Sequence, residues 1–576
     1  MLEGERSYQR GQENLVPSNN ASSTPESPVN PKAQENPWYI QHFTKLLIGF
    51  GLGGGAVAIL LPWMLWLLCG MSSGSSDQLR LHLLYVTGGI IAVLTLLQTN
   101  WKNQGDRLKI DADIKKNEQD AEKNERDHTR QVHAERRSRY TKAVEQLADE
   151  KATVRLGGIY TLVGLADEWL ADDTLEVEEQ QKEGQVIINN LCSYIRSPFP
   201  LAEKIEEYEA RKALENLQKL ESEKLDEEMS SRLQVLLKRF EDSGEYEKPK
   251  DITTDYAKFH EEQDVRRTIF VEMSKRSSTF AKNDKGEIIE TVPGIWSDFD
   301  FDFSRSPIFY PLNSLTIEKG NFSSAKFYSN AYFGKATFTQ TADFSWATFT
   351  QTADFSWARF TQTADFSGAR FTQTARFSGA RFTQTADFSW ARFTQTARFS
   401  WARFTQTADF SEAAFTQTAY FSRARFTQTA YFSSATFTQT ADFTEAAFTQ
   451  TAYFSSATFT QTAYFSSATF TQTADFSKAT FKEISPKFVD NNEDSDITFR
   501  ARFAVLSDNQ GEHEFTVREG SKLIELGKAT LRGKPFIIPV GTVLFDWDDE
   551  LQGYITSEPA EPLLDNSSAG EENKAE

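Results

Sequence analysis

The stretch FTQTADFSWARFTQTADFSGARFTQT, residues 349–374, decides the fold of this chain. Its pentamer FTQTA recurs thirteen times between Phe338 and Ala474, and phenylalanine returns alternately after five and after six residues. The repeating unit is therefore eleven residues long, A-x-F-S-x-A-x-F-T-Q-T. A fixed internal period of this kind indicates a repeat architecture.

An eleven-residue period also fits a right-handed helical supercoil. On such a helix, however, the two phenylalanines of a unit would point roughly 130° apart, so no apolar stripe forms. Threonine and phenylalanine favour strands, and the Ala and Phe of each A-x-F share one side of a strand. Each unit is therefore predicted to be two short strands, which stack about 4.8 Å apart into a solenoid with Phe and Ala inside.

The pentamers ADFSW, ARFSG and AYFSS resemble the pentapeptide-repeat family, whose unit is a small residue, any residue, a central Leu or Phe and two corner residues. The resemblance implies a right-handed quadrilateral β-helix with four faces per coil. The alternate unit ARFTQT has one residue more, which leaves the geometry of each Thr-Gln-Thr corner open. With four faces, a coil takes 22 residues, and Phe322 to Phe481 gives roughly seven coils and about 35 Å of rod. The predicted core includes Phe344, Phe349, Phe355, Phe360, Phe366, Phe371 and Phe388.

Length and composition predict several domains of mixed class in this 576-residue chain. Two cysteines, Cys69 and Cys192, exclude a disulfide framework. The formal net charge is −20, yet residues 322–481 hold 12 Lys and Arg against 9 Asp and Glu, so the acidity lies outside the repeat. The predicted domains are a disordered tail (1–45), a transmembrane hairpin (46–101), a charged stalk helix and helical module (102–275), the β-helix (290–481), a β-rich cap (482–557) and a disordered acidic tail (558–576).

Two segments, residues 46–69 and 81–101, are free of Asp, Glu, Lys and Arg and long enough to cross a bilayer. Trp63, Trp66 and Trp101 near their ends suit the membrane interface. The connection GMSSGSSDQLR is short and carries one basic residue, Arg80, whereas five follow the second span: Lys102, Arg107, Lys109, Lys115 and Lys116. The positive-inside rule therefore predicts that both termini and the rod are cytoplasmic.

The region between the spans and the repeat is predicted to be helical. The stretches AVEQLA, VRLGGIYTL and LCSYIR resemble a segment that often lies between a membrane hairpin and pentapeptide repeats in bacterial proteins, which implies a bacterial inner membrane. Six leucines predict a helical hairpin or coiled-coil insertion: Leu214, Leu217, Leu220, Leu225, Leu233 and Leu236. His128 and His133 are expected to be solvated on the stalk.

No catalytic, cofactor-binding or metal site is predicted. The six histidines are scattered, and the sequence contains no Walker loop, dinucleotide fingerprint or nucleophile elbow. GLGGG at residues 51–55 lies inside the first span and predicts close helix packing. The protein is therefore expected not to be an enzyme.

The leading functional hypothesis is a membrane-anchored scaffold that presents a rigid rod to other proteins. A membrane sensor is an alternative, although the outer loop offers little surface for a ligand. A further alternative is a DNA mimic that occupies a topoisomerase, as some pentapeptide-repeat proteins do. Such mimicry needs dense negative charge, and this rod has a net charge of +3.

Residues 22 apart should lie above one another in the predicted coil. The candidate partner-binding surface consists of stacked arginines and exposed tryptophans: Arg359, Arg381, Arg403, Arg425, Trp346, Trp357, Trp390 and Trp401. An acidic protein, or anionic headgroups, would suit this surface. Neither nucleic acid nor a small-molecule ligand is expected to bind.

Overall fold

A computed structural model describes residues 36–219, 227–242, 252–282, 288–312, 320–491, 498–506 and 512–563. The chain divides into two compact units, Met1–Arg130 and Gln131–Glu576. Most of the two predicted disordered tails lies outside the described residues, as do Leu220 and Leu225 of the predicted coiled coil.

Two helical segments are long and apolar enough to cross a membrane: Phe43–Cys69, which lies in the first unit, and Ser73–Leu147, which begins in it. The elements of the first unit are α1 (Trp38–Gln41), α2 (Phe43–Ile48), a π-helical turn (Gly49–Gly53), α3 (Gly54–Cys69) and the start of α4 (Ser73–Leu147).

One prediction about this unit needs correction, and a second gains detail. Helix begins at Trp38 directly after Pro37, although residues 1–45 were predicted to be disordered, because an apolar run starts there. Within the predicted connection GMSSGSSDQLR, only residues 70–72 are non-helical. Gly70 ends α3 in the left-handed conformation, with φ of 66°, and α4 follows at once.

Close packing within this unit occurs at one glycine of GLGGG. A Cβ added at Gly54 would lie 2.3 Å from Cγ2 of Thr87 on α4, so only glycine allows this approach of α3 and α4. Ala58 and Pro62 are buried one and two turns further along α3. The prediction of close helix packing is confirmed at Gly54.

The second unit opens with a helical module. Its helices are the end of α4, then α5 (Ala152–Leu170), α6 (Val177–Arg196), a 3-10 turn (Pro200–Lys204), α7 (Ile205–Lys219), α8 (Glu227–Glu241) and α9 (Ile252–Ser277). Helices α7 and α8 pack against each other, as expected for a helical hairpin. An antiparallel pair of strands, Ser278–Lys282 and Ile288–Pro293, leads to the repeat.

The expectation that His133 is solvated is wrong. Its side chain is only 17% exposed, because α4 packs on α5 at this point. The His133 ring lies against Trp169 with ring centroids 5.0 Å apart, and its Nε2 lies 2.9 Å from Oδ2 of Asp172. The charge-dense stalk therefore already contributes to the module's packing at this residue.

The helical module covers the open N-terminal end of the solenoid. Phe199 stacks on Phe309 with centroids 4.9 Å apart, and Phe270 on α9 lies 4.5 Å from Phe303 in the first coil. Phe301 and Phe303 are buried, and one continuous core runs from Ala143 in the module through the rod. A solenoid needs such a cover because its terminal coil would otherwise expose apolar side chains.

The rod is a parallel solenoid with four faces per coil. Neighbouring strands on each face pair in parallel with a register of 22 residues; for example, Ala342 pairs with Ala364. We name two faces by their exposed columns. The Asp face consists of Phe301–Asp302, Gly320–Asn321, Ala342–Asp343, Ala364–Asp365, Ala386–Asp387, Ala408–Asp409, Ala430–Tyr431, Ala452–Tyr453 and Ala474–Asp475. Nine stacked strands on this face make about eight turns.

The other three faces follow in chain order around each coil. The second face consists of Pro307–Ile308, Lys326–Phe327, Thr348–Phe349, Arg370–Phe371, Arg392–Phe393, Ala414–Phe415, Thr436–Phe437, Thr458–Phe459 and Thr480–Phe481. The third face consists of Ala331–Tyr332, Ala353–Asp354, Ala375–Arg376, Ala397–Arg398, Ala419–Tyr420, Ala441–Asp442 and Ala463–Tyr464. The Arg face consists of Thr337–Phe338, Arg359–Phe360, Arg381–Phe382, Arg403–Phe404, Arg425–Phe426, Ala447–Phe448 and Thr469–Phe470, and three strands of the cap extend it.

The phenylalanines form four internal ladders, as the repeat predicts. Phe366 stacks on Phe388 with centroids 4.9 Å apart and planes nearly parallel, and Phe388 stacks on Phe410 at the same distance. All seven predicted core phenylalanines are at most 1% exposed. Full burial of one such side chain is worth about 1.5–3 kcal/mol, so the ladders are the main source of the rod's stability.

The C-terminal cap is built from β-strands. They are Val489–Asn491, Thr498–Arg500, Arg502–Ala504, Leu526–Leu531, Lys534–Pro539, Val543–Asp548, Gly553–Thr556 and Glu561–Pro562. The last strand corrects the predicted tail at 558–576, because Glu561–Pro562 pairs with Leu526–Leu531 and so belongs to the cap. The remainder of that predicted tail, from residue 564, lies outside the described residues.

Candidate functional site

Two kinds of corner alternate around each coil of the rod. After the Asp face and after the third face, the chain turns through F-S-x-A, and the residue x has a positive φ of 56–69° in every regular coil from Ser324 to Lys478. Thr-Gln-Thr forms the other two corners. Four tryptophans occupy position x, and their side chains point outward at the corners: Trp346, Trp357, Trp390 and Trp401.

The tryptophans form two separate corner columns. We name the corner after the Asp face the first tryptophan corner; its residues are Trp346, Gly368, Trp390 and Glu412. The corner before the Arg face is the second tryptophan corner; its residues are Trp357, Gly379, Trp401 and Arg423. Because two faces separate them, these corners are diagonally opposite.

Glycine in these columns makes room for the indole of the preceding coil. A Cβ added at Gly368 would lie 2.8 Å from Cδ2 of Trp346, and one added at Gly379 would lie 2.7 Å from Cε3 of Trp357. Each of these two rings therefore lies over the next corner of the rod. The four tryptophans nevertheless remain 55–62% exposed, which is unusual for so large an apolar side chain.

The arginines of the Arg face form one uninterrupted column. Arg359, Arg381, Arg403 and Arg425 pair in register, and the phenylalanines beside them stack 4.8–4.9 Å apart. All four side chains are exposed, and within the described residues none of the four lies in an ion pair. Like charges at this spacing repel one another, a cost that a purely structural surface could avoid.

The aspartates of the Asp face are only partly free. Oδ1 of Asp365 accepts a hydrogen bond from the backbone N–H of Ser367 at 2.8 Å, and Asp343, Asp387 and Asp409 make the same turn with the serine two residues on. Partial burial and the charges of the neighbouring aspartates raise the pKa of Asp365. The column therefore stores electrostatic repulsion that a cation could relieve.

Elsewhere on the rod, some charges are already paired. Arg376 lies 3.7 Å from Oδ2 of Asp354, one coil earlier on the third face. Arg423 makes two hydrogen bonds of 2.9 Å with Glu445 and covers the ring of Trp401, with its guanidinium carbon 4.7 Å from the centroid. These contacts partly compensate charges outside the Arg face.

The structure brings only part of the predicted surface together in one chain. Trp357 and Trp401 border the Arg face, whereas Trp346 and Trp390 lie on the opposite corner, beside Arg370 and Arg392 of the second face. The eight predicted residues are therefore not one continuous patch on a single rod. The sequence reasoning missed this because it stacked the columns without ordering the corners around the coil.

The described residues contain no group of three or more His, Cys, Asp or Glu side chains that could hold a metal ion. A cavity of about 720 Å³ lies in the C-terminal cap beside His513. Nδ1 of that histidine accepts from the N–H of Ala474, and Nε2 donates to the carbonyl of Ala504. Both ring nitrogens are thus engaged by backbone, and burial lowers the pKa of His513.

Comparison with known proteins agrees with the geometry. The family described as "Pentapeptide repeats (9 copies)" matches residues 322–370, 366–414, 410–458 and 443–485. This segment of the chain is a pentapeptide-repeat solenoid. Pentapeptide-repeat proteins are generally non-enzymatic structural or interaction proteins, so the fold suggests a scaffold or protein-interaction role. No curated protein and no solved structure matches the chain.

Outside the pentapeptide-repeat rod, the helical module contains a buried polar network that the sequence reasoning missed. Arg266 is 1% exposed and donates to Glu262, to the carbonyl of Ile195 at 2.8 Å and to Oγ of Ser197 at 2.9 Å. Glu262 also accepts from Tyr194 at 3.0 Å. A buried ion pair is stable only when its remaining donors and acceptors are satisfied, and this network ties α6 to α9 above the first coil.

Proposed function

We propose that this protein is a non-enzymatic, membrane-anchored scaffold that presents the pentapeptide-repeat rod at the cytoplasmic face of a bacterial inner membrane. The observation that carries the proposal is the Arg face, an exposed column of four guanidinium groups without ion-pair partners in the described chain. A rigid column of this kind attracts an acidic partner through charge, and the bordering tryptophans supply apolar anchors.

The anchoring and the orientation rest on the two apolar helices and on the charge around them. Five basic residues follow the second span within sixteen positions of Trp101, whereas the connection GMSSGSSDQLR carries only Arg80. Under the positive-inside rule this asymmetry supports a cytoplasmic location for both ends of the chain.

Cysteine labelling of intact cells tests this orientation. A Ser73→Cys variant in a Cys69→Ser background should react with a membrane-impermeant maleimide added from outside. A Ser434→Cys variant, at an exposed corner of the rod, should react only after the membrane is permeabilised. Labelling of Ser434→Cys in intact cells would contradict the cytoplasmic location of the rod.

The interaction role is tested by changing Arg359, Arg381, Arg403 and Arg425 to Ser together. Crosslinking in native membranes, followed by mass spectrometry, should lose the acidic partner captured by the unaltered protein. The matched control changes Arg370, Arg376, Arg392 and Arg398 to Ser, which removes the same charge from the second and third faces. Equal capture by both variants would contradict a role for the Arg face.

A further inference from the structure

The Arg face and the Asp face carry complementary columns in the same order along the rod. From the N-terminal end, the Arg face presents Arg359, Arg381, Arg403, Arg425, Ala447 and Thr469. The Asp face presents Asp343, Asp365, Asp387, Asp409, Tyr431 and Tyr453. We propose that the Arg face of one copy binds the Asp face of a second copy, so that the rods associate side by side and parallel. This inference rests on the proposed scaffold function and names the partner as the chain itself.

Each column has the free groups that such pairing needs. The guanidinium groups of the Arg face have no ion pair within the described chain. On the Asp face, Oδ1 of Asp387 is held by the N–H of Ser389, which leaves Oδ2 available. The pair of Arg376 with Oδ2 of Asp354 on the third face shows that arginine reaches the outer oxygen of an aspartate in this same turn.

The two columns also match in spacing. Both advance by one residue per 22-residue coil, and the ladder beneath the Asp face has the same repeat, 4.9–5.0 Å, as that beneath the Arg face to within about 0.2 Å. Arg381 comes 16 residues after Asp365 and six before Asp387, so its height along the axis falls between these two rungs. In parallel copies at equal height, Arg359, Arg381 and Arg403 therefore each face two carboxylates and Arg425 faces Asp409, which reduces the repulsion within the Asp column.

Side-chain size is complementary beyond the charged rungs. The small residues Ala447 and Thr469 follow Arg425, and the large residues Tyr431 and Tyr453 follow Asp409 and precede Asp475. Stacked 5.2 Å apart, the two tyrosines project from the Asp face where the Arg face of the second copy offers only short side chains. Only a parallel arrangement aligns both the charged rungs and this step in size.

The tryptophan corners provide an independent match. When the Arg face of one copy meets the Asp face of another, the Thr-Gln-Thr corners between those faces share the inner edge of the contact. The second tryptophan corner of one copy then lies along the outer edge beside the first tryptophan corner of the other. Their residues correspond in order: Trp357 to Trp346, Gly379 to Gly368, Trp401 to Trp390 and Arg423 to Glu412. Four indoles that are more than half exposed on a single rod would thus be buried in pairs.

The arrangement of the faces fixes the number of copies. The contact joins two different faces, so it is heterologous and forms either a closed ring or an open filament. The Arg face precedes the Asp face around the coil with one corner between them, so each contact turns the next copy by about a quarter of a circle. Copies at equal height then close into a ring of four, with the Thr-Gln-Thr corners after the Arg face pointing at its axis.

Charge exchange between copies is the decisive experiment. Full-length protein in detergent should have a protein mass four times that of the 65.3 kDa chain, measured by light scattering after size exclusion. Changing Arg381 and Arg403 to Asp, or separately Asp365 and Asp387 to Arg, should make each variant monomeric, because like charges then meet at the two middle rungs of every contact between identical copies. Mixing the two variants should restore the fourfold mass, since their faces are again complementary. Arginine occupies the equivalent strand position at Arg376 and Arg398, so the repeat accommodates it.

Disulfide crosslinking tests the geometry of the contact without changing its charges. In a Cys69→Ser background, the double variant Trp346→Cys, Trp357→Cys should form, on mild oxidation in membranes, a ladder of crosslinked species ending at four chains. The two single variants are the matched controls and should form no crosslinked pairs, because a heterologous contact brings unlike corners together. The corners lie on opposite sides of the phenylalanine core, which excludes a disulfide within one rod.

The outcomes separate this inference from the proposed function. A monomeric full-length protein, a mixture of charge variants that stays monomeric, or dimers from either single cysteine variant would each overturn the ring. A monomer whose Arg face still binds vesicles containing anionic lipid, or an acidic protein, would overturn the ring and leave the scaffold function standing. Labelling of the rod from outside the cell would refute the cytoplasmic scaffold without affecting the measured mass.

Discussion

Replacement of Phe388 by Ala should destabilise the rod locally by about 3–5 kcal/mol, the range for Phe→Ala in a protein core. The ring is fully buried midway along the rod. It stacks on Phe366 and Phe410 at 4.9 Å. It also makes edge contacts with Phe377 and Phe399 at 5.2 Å and with Phe382 at 5.8 Å, so five ring contacts are lost together. Neighbouring coils hold the backbone in place, which hinders collapse into the cavity and favours the upper part of the range.

Hydrogen exchange of the full-length protein in detergent measures this change coil by coil. A loss of about 3–5 kcal/mol corresponds to exchange that is roughly 150 to 5,000 times faster in the strands around residue 388. In a repeat array each coil contacts only its neighbours, so peptides near residues 452–476 should be almost unaffected. The control is Asp387→Asn, which keeps the acceptor for the N–H of Ser389, as Asn321 does for Ser323. Equal effects of the two changes would refute the role assigned to the phenylalanine ladder.

Three further results are expected. Gly158→Ala should destabilise the helical module, because the added Cβ would lie 2.8 Å from a backbone oxygen of α4, whereas Gly157→Ala, with open space around it, should stabilise α5 by about 0.5–1 kcal/mol in thermal unfolding. Gly379→Ala should lower rod stability more than Ser434→Ala in hydrogen exchange, because both positions have positive φ but only the first is covered by an indole. The raised pKa of Asp365 means that its ionisation opposes folding, so rod stability should rise as the pH falls from 7 through that pKa, and Asp365→Asn should flatten this rise.

The opposite pH dependence is expected in the helical module. Although burial opposes it, hydrogen bonds from Thr174, Arg136 and His133 hold the pKa of Asp172 below its usual range. Its contribution to stability is therefore present at neutral pH and is lost as the pH falls below about 4, the ordinary carboxyl range. Acid should thus unfold the module before the rod. Loss of both at the same pH would show that the network around Asp172 does not control the module's stability.

The fold of the rod was predictable because every repeat unit has the same pattern of apolar and polar residues. The Ala and Phe of A-x-F lie on one side of a strand, and thirteen nearly identical copies leave a single register, 22 residues, that keeps every phenylalanine inside. The extra residue in Thr-Gln-Thr left the geometry of that corner undetermined from the sequence. The 22-residue register on every face shows that the coil nevertheless keeps four faces. Local chemistry repeated many times was sufficient to predict the coil.

The helical cover of the rod was not predictable from local pattern. Gly184 on α6 would place a Cβ 2.4 Å from Cζ of Phe299, and these residues are 115 positions apart in the chain. Similarly, the sequence around His133 is that of a charged, solvated helix. The fold nevertheless packs Trp169 and Asp172 against this histidine. Such contacts depend on how α5, α6 and α9 pack against one another. No periodic pattern in a single sequence indicates that packing.

The distribution of charge around the rod bears on which function this solenoid serves. A mimic of nucleic acid needs negative charge on the surfaces that its target grips. Here the four-residue acidic column of the Asp face is separated by one corner from a four-residue basic column on the Arg face. A positively charged groove of a target protein that attracts the Asp face would therefore be repelled by the Arg face. A partner that satisfies both columns at once must itself carry acid and base in the same 22-residue register. A second copy of the rod meets that requirement without any further assumption.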